Sequence, residues 1–375
     1  MKIKQIKLIN FRNLENVELN FINNINIIIG GNGAGKTNIL EAVYLNSLTK
    51  SFRANNDIEL IKFNKDFLTI KTTIKENSYS EKVLYNIDKI SKKIYLNSNK
   101  ITKLSEYIGK YPVVISTPED VLMIKTSPSN RRDVLNISIC QFNKEYFKTL
   151  NEYNKLLKLR NDYLKRILVN SNSDMKYFEI ITNKLIEKAI YIYIERNKYI
   201  NSINSYLGSI FEHICLNKNL ILKYSPNVDI REYDDESISK ILHKKFKRDF
   251  NKEISLGMTI SGPHRDDFNF YLDNKDMKFY SSEGQKKMAV ISYKLAEMKL
   301  FQEQEDKKPI ILLDDLFSEL DIKNKNRLVK YIPEDLQVII TSNDLKGINK
   351  SIRDNAKIFK IKDSEVRVIN NGKSN

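Results

Sequence analysis

The sequence predicts an α/β protein in which two β-rich halves are separated by a long helical insertion. Three observations predict this fold class: a glycine-rich run lies between an apolar strand and a helix near residue 30, apolar residues recur at helical spacing between residues 131 and 250, and strand and turn patterns return after residue 256. We therefore expect one domain built from residues 1–125 and 255–375, with an inserted helical arm at residues 126–254.

The first half is predicted to contain short strands around one helix. Apolar residues that alternate or run together predict strands in the segments IKQIKLINF, VELNF, INIII, FLTIKTTI, KVLYNI and KIYLN. The segment NILEAVYLNSL, directly after the glycine-rich run, has helical periodicity instead.

The arm has apolar residues three and four positions apart, as at Leu156, Leu157, Tyr163, Leu164 and Ile167, which predicts several helices. No heptad pattern persists beyond a few turns, so an extended coiled coil is not expected. After the arm, MTISGPHRDDFNFYL predicts strand and turn, residues 283–304 predict a helix, and PIILLDD predicts a buried strand.

Composition limits the classes of protein that this chain can be. The net charge of +16 favours an anionic partner larger than a nucleotide, with nucleic acid first, although a biased base composition of the coding DNA would also enrich lysine. No apolar stretch approaches the roughly 20 residues that span a bilayer, and the first residues lack the apolar core of a signal peptide. We expect a cytoplasmic protein with no membrane partner. The cysteines and histidines have no metal-ligand or disulfide spacing.

The glycine-rich run GGNGAGKT matches the phosphate-binding pattern G-x-x-x-x-G-K-[ST]. Its glycines let backbone N–H groups point at the α and β phosphates, Lys36 reaches the β and γ oxygens, and Thr37 offers its hydroxyl to Mg²⁺. The helix that follows adds the positive end of its dipole. ATP or GTP is therefore the first ligand hypothesis. The predicted binding residues are Gly30, Gly31, Asn32, Gly33, Ala34, Gly35, Lys36 and Thr37.

A second group of functional residues lies in PIILLDDLFSELD. Residues 310–313 form a continuous apolar run, as a strand covered on both faces requires. Asp314 follows at the carboxyl end of that strand, where it would hold Mg²⁺ together with Thr37. Asp315 comes next and would orient or deprotonate the attacking water. Two acids after a strand also fit a solvated turn, but the glycine-rich run favours the catalytic reading.

The segment SSEGQKKM, at residues 281–288, resembles the signature motif of the ABC ATPases. That resemblance implies that Ser282 and Gly284, with Gln285 beside them, touch the γ-phosphate held by a second protomer. A polar turn with Ser282 as helix N-cap is the alternative. The segment SELD, with Ser318 and Asp321, resembles an ABC D-loop. This order of motifs implies an ABC-type P-loop ATPase head with an inserted helical arm.

More than 240 residues separate the glycine-rich run from the signature segment, unlike the short spacing in transporter ATPases. The arrangement resembles the DNA-repair branch that includes SMC proteins and RecF, and the arm is too short for an SMC coiled coil. The RecF family is the closer match, through LINFRNLENVEL, KSFRANNDIELI, TPEDVLMIKTSPSNRRDVLN, SGPHRDDFNF and LLDDLFSELD. The chain departs from that family's pattern at Glu119, Thr126, Asn136 and Asn324.

The RecF resemblance implies ATP-dependent DNA binding in replication and recombinational repair during the SOS response to DNA damage. Its implied partners are single-stranded, double-stranded and gapped DNA, with RecR and RecO in loading RecA. ATP bound by one protomer would be sealed by the signature segment and D-loop of another, so the homodimer would depend on ATP and hydrolysis would release it. Asp315 is shorter than the glutamate usual in ABC ATPases, so we expect slow, DNA-stimulated hydrolysis that serves as a switch.

Basic residues near the predicted motifs are the candidate DNA contacts. Contacts to phosphates carry little sequence information, so binding should tolerate any sequence and weaken steeply with salt. A solvated surface explains several of these residues equally well. The candidates are Arg53, Lys62, Lys65, Arg131, Arg132, Lys244, Lys245, Lys247 and Arg248.

Three alternative functions remain at this point. A transporter ATPase subunit would need a membrane partner, a shorter spacing between motifs and usually a glutamate after Asp314. A short-armed SMC-like DNA tether shares the motifs but is disfavoured by arm length. A GTPase would normally carry N-K-x-D, which the sequence lacks.

Overall fold

The computed structural model describes residues 1–22, 24–76, 79–169, 174–215, 218–303, 308–315, 331, 334–346 and 348–370. The chain forms two compact units. Unit 1 comprises Met1–Asp120, His213–Leu216 and Val290–Asn375, and unit 2 comprises Val121–Glu212 and Asn217–Ala289. Among the described helices, none combines the length and the hydropathy needed to cross a membrane.

The described strands form three sheets. They are β1 (Lys2–Phe11), β2 (Leu14–Asn20), β3 (Ile25–Ile29), β4 (Phe67–Glu76), β5 (Tyr79–Asp88), β6 (Lys92–Leu96), β7 (Asn99–Lys100), β8 (Val113–Ser116), β9 (Leu220–Ser225), β10 (Asp267–Leu272), β11 (Lys275–Asp276), β12 (Ile310–Leu313), β13 (Val338–Ser342), β14 (Lys357–Lys362) and β15 (Glu365–Asn370).

The described α-helices are α1 (Lys36–Leu48), α2 (Leu104–Tyr107), α3 (Leu122–Lys125), α4 (Pro128–Phe142), α5 (Lys144–Val169), α6 (Met175–Cys215), α7 (Asp235–Leu256), α8 (Met277–Tyr280), α9 (Glu283–Glu303) and α10 (Lys350–Asn355). Short 3-10 turns lie at Asp57–Leu60, Pro118–Val121 and Pro263–Arg265.

The first sheet of unit 1 is antiparallel, in the order β2-β1-β4-β5-β6-β7. Its inward residues alternate with exposed polar ones, and Ile6, Leu8, Ile70 and Tyr85 are fully buried. Such alternation is typical of an antiparallel sheet with one face on the core. The strands predicted in the first half of the sequence are confirmed.

The second sheet of unit 1 has the order β15-β14-β3-β13-β12-β8 and is parallel except at β15. All residues of β12 and β13 are buried, as expected for strands covered on both faces. Because β3 and β12 both pair in parallel with β13, their carboxyl ends meet at one edge of the sheet. The glycine-rich loop follows β3 and Asp314 follows β12 at that edge.

Unit 2 contains α4 to α7 and a three-stranded antiparallel sheet in the order β11-β10-β9. The helices predicted for the arm are confirmed, but the strand β9 within the arm was not predicted. It pairs along its whole length with β10, from Leu220 opposite Leu272 to Ser225 opposite Asp267. Residues 255–289 lie in unit 2, whereas the sequence predicted them in the ATPase head.

Candidate nucleotide-binding site

The loop between β3 and α1 needs glycine for two different reasons. Gly33 and Gly35 have φ values of +77° and +105°, a backbone region that side chains disfavour. A Cβ on Gly30 would lie 2.6 Å from the carbonyl oxygen of Ile361, and a Cβ on Gly35 would lie 2.7 Å from Leu14 Cδ2. The loop conformation and its close approach to neighbouring strands therefore both exclude side chains here.

Lys36 lies within this loop as a buried cation held by neutral acceptors. Its ammonium donates to the carbonyl oxygens of Gly30 (2.8 Å) and Gly31 (3.0 Å) and to Asn343 Oδ1 (2.9 Å). Burial lowers the pKa of Lys36, while the carboxylates of Asp315 and Asp314 oppose that change. Hydrogen bonds to charged acceptors are roughly twice as strong as those to neutral ones, so a phosphate oxygen would compete well for this ammonium.

Thr37 and Asp314 meet, although they are 277 positions apart in the chain. The Thr37 hydroxyl lies 2.9 Å from each carboxylate oxygen of Asp314. Thr341, on β13, donates a further hydrogen bond of 2.6 Å to Asp314 Oδ1, and the Asp314 N–H donates to the Ser116 carbonyl oxygen at 2.9 Å. The carboxylate is thus held by β13 and by the first turn of α1, while the backbone of Asp314 is held by β8.

This arrangement fits Mg²⁺ rather than a metal held by protein alone. Within the described residues, no group of three or more histidine, cysteine, aspartate or glutamate side chains could hold a metal ion. Mg²⁺ usually takes one or two carboxylates, several waters and the phosphates of a nucleotide. Thr37 and Asp314 supply one hydroxyl and one carboxylate, which matches that ligand set.

Asp315, the predicted catalytic carboxylate, has φ +45°, which is uncommon for a residue other than glycine. Its N–H donates to Thr341 Oγ1 at 2.9 Å. Thr341 therefore links the two acids, because it donates to Asp314 and accepts from Asp315. Thr341 and Asn343 were not predicted as site residues; their one signal is that Thr341 lies near the carboxyl end of β13, between β3 and β12, and that Asn343 directly follows this strand.

A buried glutamate supports the outer side of the loop. Glu41, fully buried on α1, accepts two hydrogen bonds from Arg12, with Nη2 at 2.7 Å and Nε at 3.0 Å. Arg53 lies 3.8 Å from the same carboxylate and donates to Asn38 Oδ1 at 3.0 Å. Asn13 donates to the Gly33 carbonyl oxygen at 2.8 Å. Arg12 and Asn13 thus stabilise the loop region, a role the sequence did not reveal.

The signature segment begins α9 with a reciprocal cap. The Ser282 N–H donates to Gln285 Oε1 (3.0 Å), and the Gln285 N–H donates to Ser282 Oγ (3.3 Å), as in a capping box. Both side chains therefore fix the start of the helix. Gly284 is exposed, and a Cβ there would meet no atom of the described residues within 4 Å. Packing among the described residues therefore does not require glycine at that position.

The predicted D-loop residues Ser318 and Asp321 lie outside the described residues, as does Asn324. Two of the other residues that differ from the family's pattern, Thr126 and Asn136, form hydrogen bonds within unit 2. Thr126 accepts a hydrogen bond from Arg131 through its carbonyl oxygen, and Asn136 Oδ1 accepts from Tyr146 (2.7 Å) and from a buried arginine.

Comparison with known proteins identifies the family. The family model described as the RecF/RecN/SMC N terminal domain matches residues 2–367. The DNA replication and repair protein RecF of Clostridium perfringens (strain SM101 / Type A) is 38% identical over 363 residues, which cover 96% of this chain and 98% of that protein. The chain belongs to the RecF family.

Other members and solved structures agree with this assignment. RecF of Lactobacillus johnsonii (strain CNCM I-12250 / La1 / NCC 533) is 35% identical over 96% of this chain and 97% of its own length. A solved structure described as the recombination mediator protein RecF-ATP in the RecFOR pathway has a TM-score of 0.90, 32% identity and 98% coverage of both chains. An SMC head bound to a domain of ScpA, with a TM-score of 0.55 and 14% identity, shares the fold alone. The predicted fold class and the RecF resemblance are confirmed.

One predicted DNA contact is corrected by the structure. Arg131, only 3% exposed, forms a two-pronged ion pair with Asp267, with Nε at 2.6 Å and Nη2 at 2.9 Å from its oxygens. Its remaining nitrogen donates to the carbonyl oxygens of Met123 and Thr126. Arg131 stabilises unit 2 and has no exposed surface for DNA. Arg132 is half-buried and donates to the Asp266 carbonyl oxygen at 2.8 Å.

The other predicted DNA contacts lie on the surface, but several already have acidic partners. Lys62 and Lys65 both bind Glu15, at 2.9 and 3.1 Å. On α7, Lys245 and Arg248 both bind Asp249, at 3.1 and 3.0 Å. Lys244 and Lys247 are exposed on the same helix. The sequence clusters therefore contain less free positive charge than their composition indicates.

Proposed function

We propose that this chain is an ATP-dependent DNA-binding protein of replication and recombinational repair. ATP binding drives two copies together on gapped or double-stranded DNA, and slow hydrolysis releases them. In this role the protein works with RecR and RecO to help load the recombinase RecA. The observation that carries the proposal is the cluster of Thr37, Asp314 and Thr341 beside the glycine-rich loop.

The cluster supports binding of ATP with Mg²⁺. The loop N–H groups and Lys36 would hold the phosphates, while Thr37 and Asp314 would hold the metal, which neutralises charge on the β and γ phosphates. The residues are already in contact at 2.9 Å, so little rearrangement is needed to present both oxygens to one ion. The RecF relative solved with ATP supports the same ligand.

The signature segment supports closure of this site by a second copy. Gly284 is exposed and has open space around its Cα, and Ser282 is exposed beside it at the start of α9. No described neighbour requires glycine at position 284. The close approach of a nucleotide phosphate held by the other copy would explain it. The backbone N–H groups at this helix start are suited to the γ-phosphate of a nucleotide bound by the other copy.

Hydrolysis is assigned to Asp315. It follows Asp314 directly, its backbone N–H donates to Thr341, and its carboxylate is close enough to the Lys36 ammonium to raise the pKa of that group, which supports a place beside the phosphates. A carboxylate at this position can orient or deprotonate water. Aspartate reaches less far than glutamate, so turnover is slow and suits a switch that DNA stimulates.

DNA is the partner that the relatives support, since those matched over nearly the full chain are DNA replication and repair proteins. RecR and RecO enter through the RecFOR pathway named for the structural relatives. A cytoplasmic location is part of the proposal, because the relatives are DNA replication and repair proteins. The transporter and tether alternatives have no such support.

Sedimentation velocity with and without ATP tests the proposal. The wild-type chain of 44.0 kDa should shift to about 88 kDa with ATP and Mg²⁺, and the dimer should bind duplex and gapped DNA. Lys36→Arg should lose ATP binding and dimerisation together. Ser282→Arg should keep ATP binding and lose the dimer.

Ser205→Arg provides the matched control, because Ser205 is an exposed serine on α6 and the substitution adds the same side chain. That variant should dimerise like the wild type. The proposal fails if the wild type stays monomeric with ATP, or if Ser282→Arg and Ser205→Arg dimerise equally well.

A further inference from the structure

The outward face of the antiparallel sheet carries seven lysines brought together by strand pairing. Lys71 on β4 pairs with Lys7 on β1 and with Leu84 on β5, Leu84 pairs with Tyr95 on β6, and Tyr95 pairs with Lys100 on β7. These residues form one row across five strands. Neighbouring rows add four more lysines, of which Lys2, opposite Lys75, is half-buried at the end of β1 and is left out of the group named next. The lysine face comprises Lys7, Lys71, Lys75, Lys82, Lys93 and Lys100.

These side chains point away from the core of unit 1. The residues between them along each strand, such as Ile70, Ile74 and Val83, are at most 1% exposed. Side chains alternate between the two faces of a strand, so the lysines must lie on the opposite face. All except the half-buried Lys7 are exposed.

The positive charge of the lysine face is largely unneutralised. Two carboxylates lie at outward positions of the same pairings: Glu18, which is 3.5 Å from Lys7, and Asp88, which accepts hydrogen bonds from the N–H groups of Ile90 and Ser91. Among the described residues, the other five lysines form no ion pair. The whole chain has 63 basic and 47 acidic residues, so the excess on this face exceeds what composition alone explains.

The spacing of the charges matches duplex DNA. Strands lie about 4.8 Å apart and rise about 3.3 Å per residue, so Lys71 is roughly 13 Å from Lys75 and roughly 14 Å from Lys100. The major groove is about 12 Å wide, so lysines at this separation can contact phosphates on both of its edges. A paired sheet also holds the charges in a fixed array, as a regular duplex does.

Single-stranded DNA fits this face less well. Proteins that bind it stack successive bases on aromatic side chains. The two aromatic residues at outward positions, Phe67 and Tyr95, lie on strands two apart in the sheet order and four residues apart along the strands. They are too far apart for adjacent bases to stack on both.

We propose that the lysine face binds the phosphate backbone of duplex DNA. The inference rests on the DNA-binding function proposed above and adds the surface that carries it. Contacts to phosphates from a lattice of lysines give affinity without sequence preference. The face belongs to unit 1, the unit that contains the glycine-rich loop.

The double variant Lys71→Gln/Lys82→Gln tests this inference. Fluorescence anisotropy with a labelled 30-base-pair duplex should be measured from about 50 to 300 mM salt, in the presence of a non-hydrolysable ATP analogue. The slope of log K against log salt is negative, and each lost phosphate contact makes it shallower by about 0.9, so the double variant should have a slope shallower by about 2. At about 150 mM salt the affinity should fall about thirtyfold by the same relation.

Lys176→Gln/Lys184→Gln is the matched control, since both residues are exposed lysines on α6 of unit 2 and the change in charge is the same. It should bind duplex DNA like the wild type. All variants should keep the same melting curve and the same affinity for a fluorescent ATP analogue. In the wild type, duplex DNA should also protect Lys71, Lys82 and Lys93 from acetylation, which tests the surface without any substitution.

The possible results separate this inference from the proposed function. If the wild type binds no duplex at any salt concentration, the proposed function itself fails. If the wild type binds and the Lys71→Gln/Lys82→Gln variant binds equally well with the same salt slope, only the lysine face is refuted. Loss of single-stranded binding with normal duplex binding would also overturn the assignment.

Discussion

Replacing His264 with glutamine should remove part of the pH dependence of the stability of unit 2. His264 lies in the turn after Gly262, where its Nδ1 is 2.6 Å from the Tyr153 hydroxyl and its Nε2 is 3.2 Å from the Thr259 carbonyl oxygen. Burial lowers the pKa of His264 from 6.5 to about 4, partly opposed by the hydrogen bond to Thr259, and the nearby cations Arg265, Arg132 and Arg196 lower it further.

The sign and size of the effect follow from proton linkage. The folded chain binds the proton more weakly than the unfolded chain, so acid favours unfolding. Well above pH 6.5, His264 has no effect on the free energy of unfolding. As the pH falls from 6.5 to about 4, protonation of His264 in the unfolded chain lowers the free energy of unfolding, and below about pH 4 this loss is complete. A pKa difference of about 2.5 corresponds to about 3.4 kcal/mol in all, of which about 2 kcal/mol is lost by pH 5.

Urea unfolding followed by far-ultraviolet circular dichroism measures this, because the long helices α5, α6 and α7 dominate the signal. The free energy of unfolding should be compared at pH 7.5 and pH 5.0 for the wild type and for His264→Gln. The wild type should lose about 2 kcal/mol more than the variant, since glutamine takes up no proton. Any loss of packing in the variant appears at both pH values and cancels in this comparison.

His243→Gln is the control, because His243 is an exposed histidine on α7 and the substitution is identical. It should show the same pH dependence as the wild type. If His264→Gln and the wild type lose equal stability between pH 7.5 and 5.0, the claim that burial holds His264 neutral is refuted.

Four further predictions concern the nucleotide site, its closure by a second copy and the corrected DNA contact. Asp315→Asn should keep its ATP affinity but hydrolyse ATP at least about a hundredfold more slowly in a phosphate-release assay; an unchanged rate would place the base elsewhere. Arg131→Ala should lower the free energy of unfolding by about 3 kcal/mol, seen as a lower melting temperature, and leave the salt slope of DNA binding unchanged; the opposite pair of results would restore Arg131 as a DNA contact. Gly35→Ala should abolish ATP binding in a titration with a fluorescent analogue. The added Cβ would lie 2.7 Å from the Leu14 side chain, and the backbone at this position has φ +105°, which side chains disfavour. Gly284→Ala should fold and bind ATP normally but fail to dimerise in sedimentation velocity; normal dimerisation would contradict the closure of the site by α9.

The strands, the helices and the glycine-rich loop could be predicted because their signals are local. The glycine pattern at residues 30–37 needs only eight residues of sequence, and the apolar run at 310–313 identifies a buried strand by itself. Placing Asp314 against Thr37 needed one more rule, that the carboxyl ends of parallel strands share an edge. That rule was enough to pair two residues far apart in the chain.

The supporting residues of the site could not be predicted because their roles depend on pairing between distant strands. Thr341 reaches Asp314 only because β13 lies between β3 and β12, and nothing near residue 341 specifies that order. Asn343 binds Lys36 for the same reason. The strand β9 was missed for a related cause, since its partner β10 lies beyond the helix α7.

The difference between local signals and contacts made by distant residues also explains why clusters of basic residues in the sequence did not show where unpaired positive charge lies. Basic residues clustered on a helix can meet an acid within the same cluster: Asp249 binds Lys245, four positions before it, and also its neighbour Arg248. Arg131 is paired by an acid 136 positions away. On a sheet, by contrast, every second residue of several strands shares one face, and lysines scattered from residue 7 to residue 100 become neighbours through strand pairing alone. A surface with unpaired positive charge can therefore arise where the sequence shows no basic cluster, because the register of the sheet, rather than the density of lysines along the chain, determines which lysines share a face.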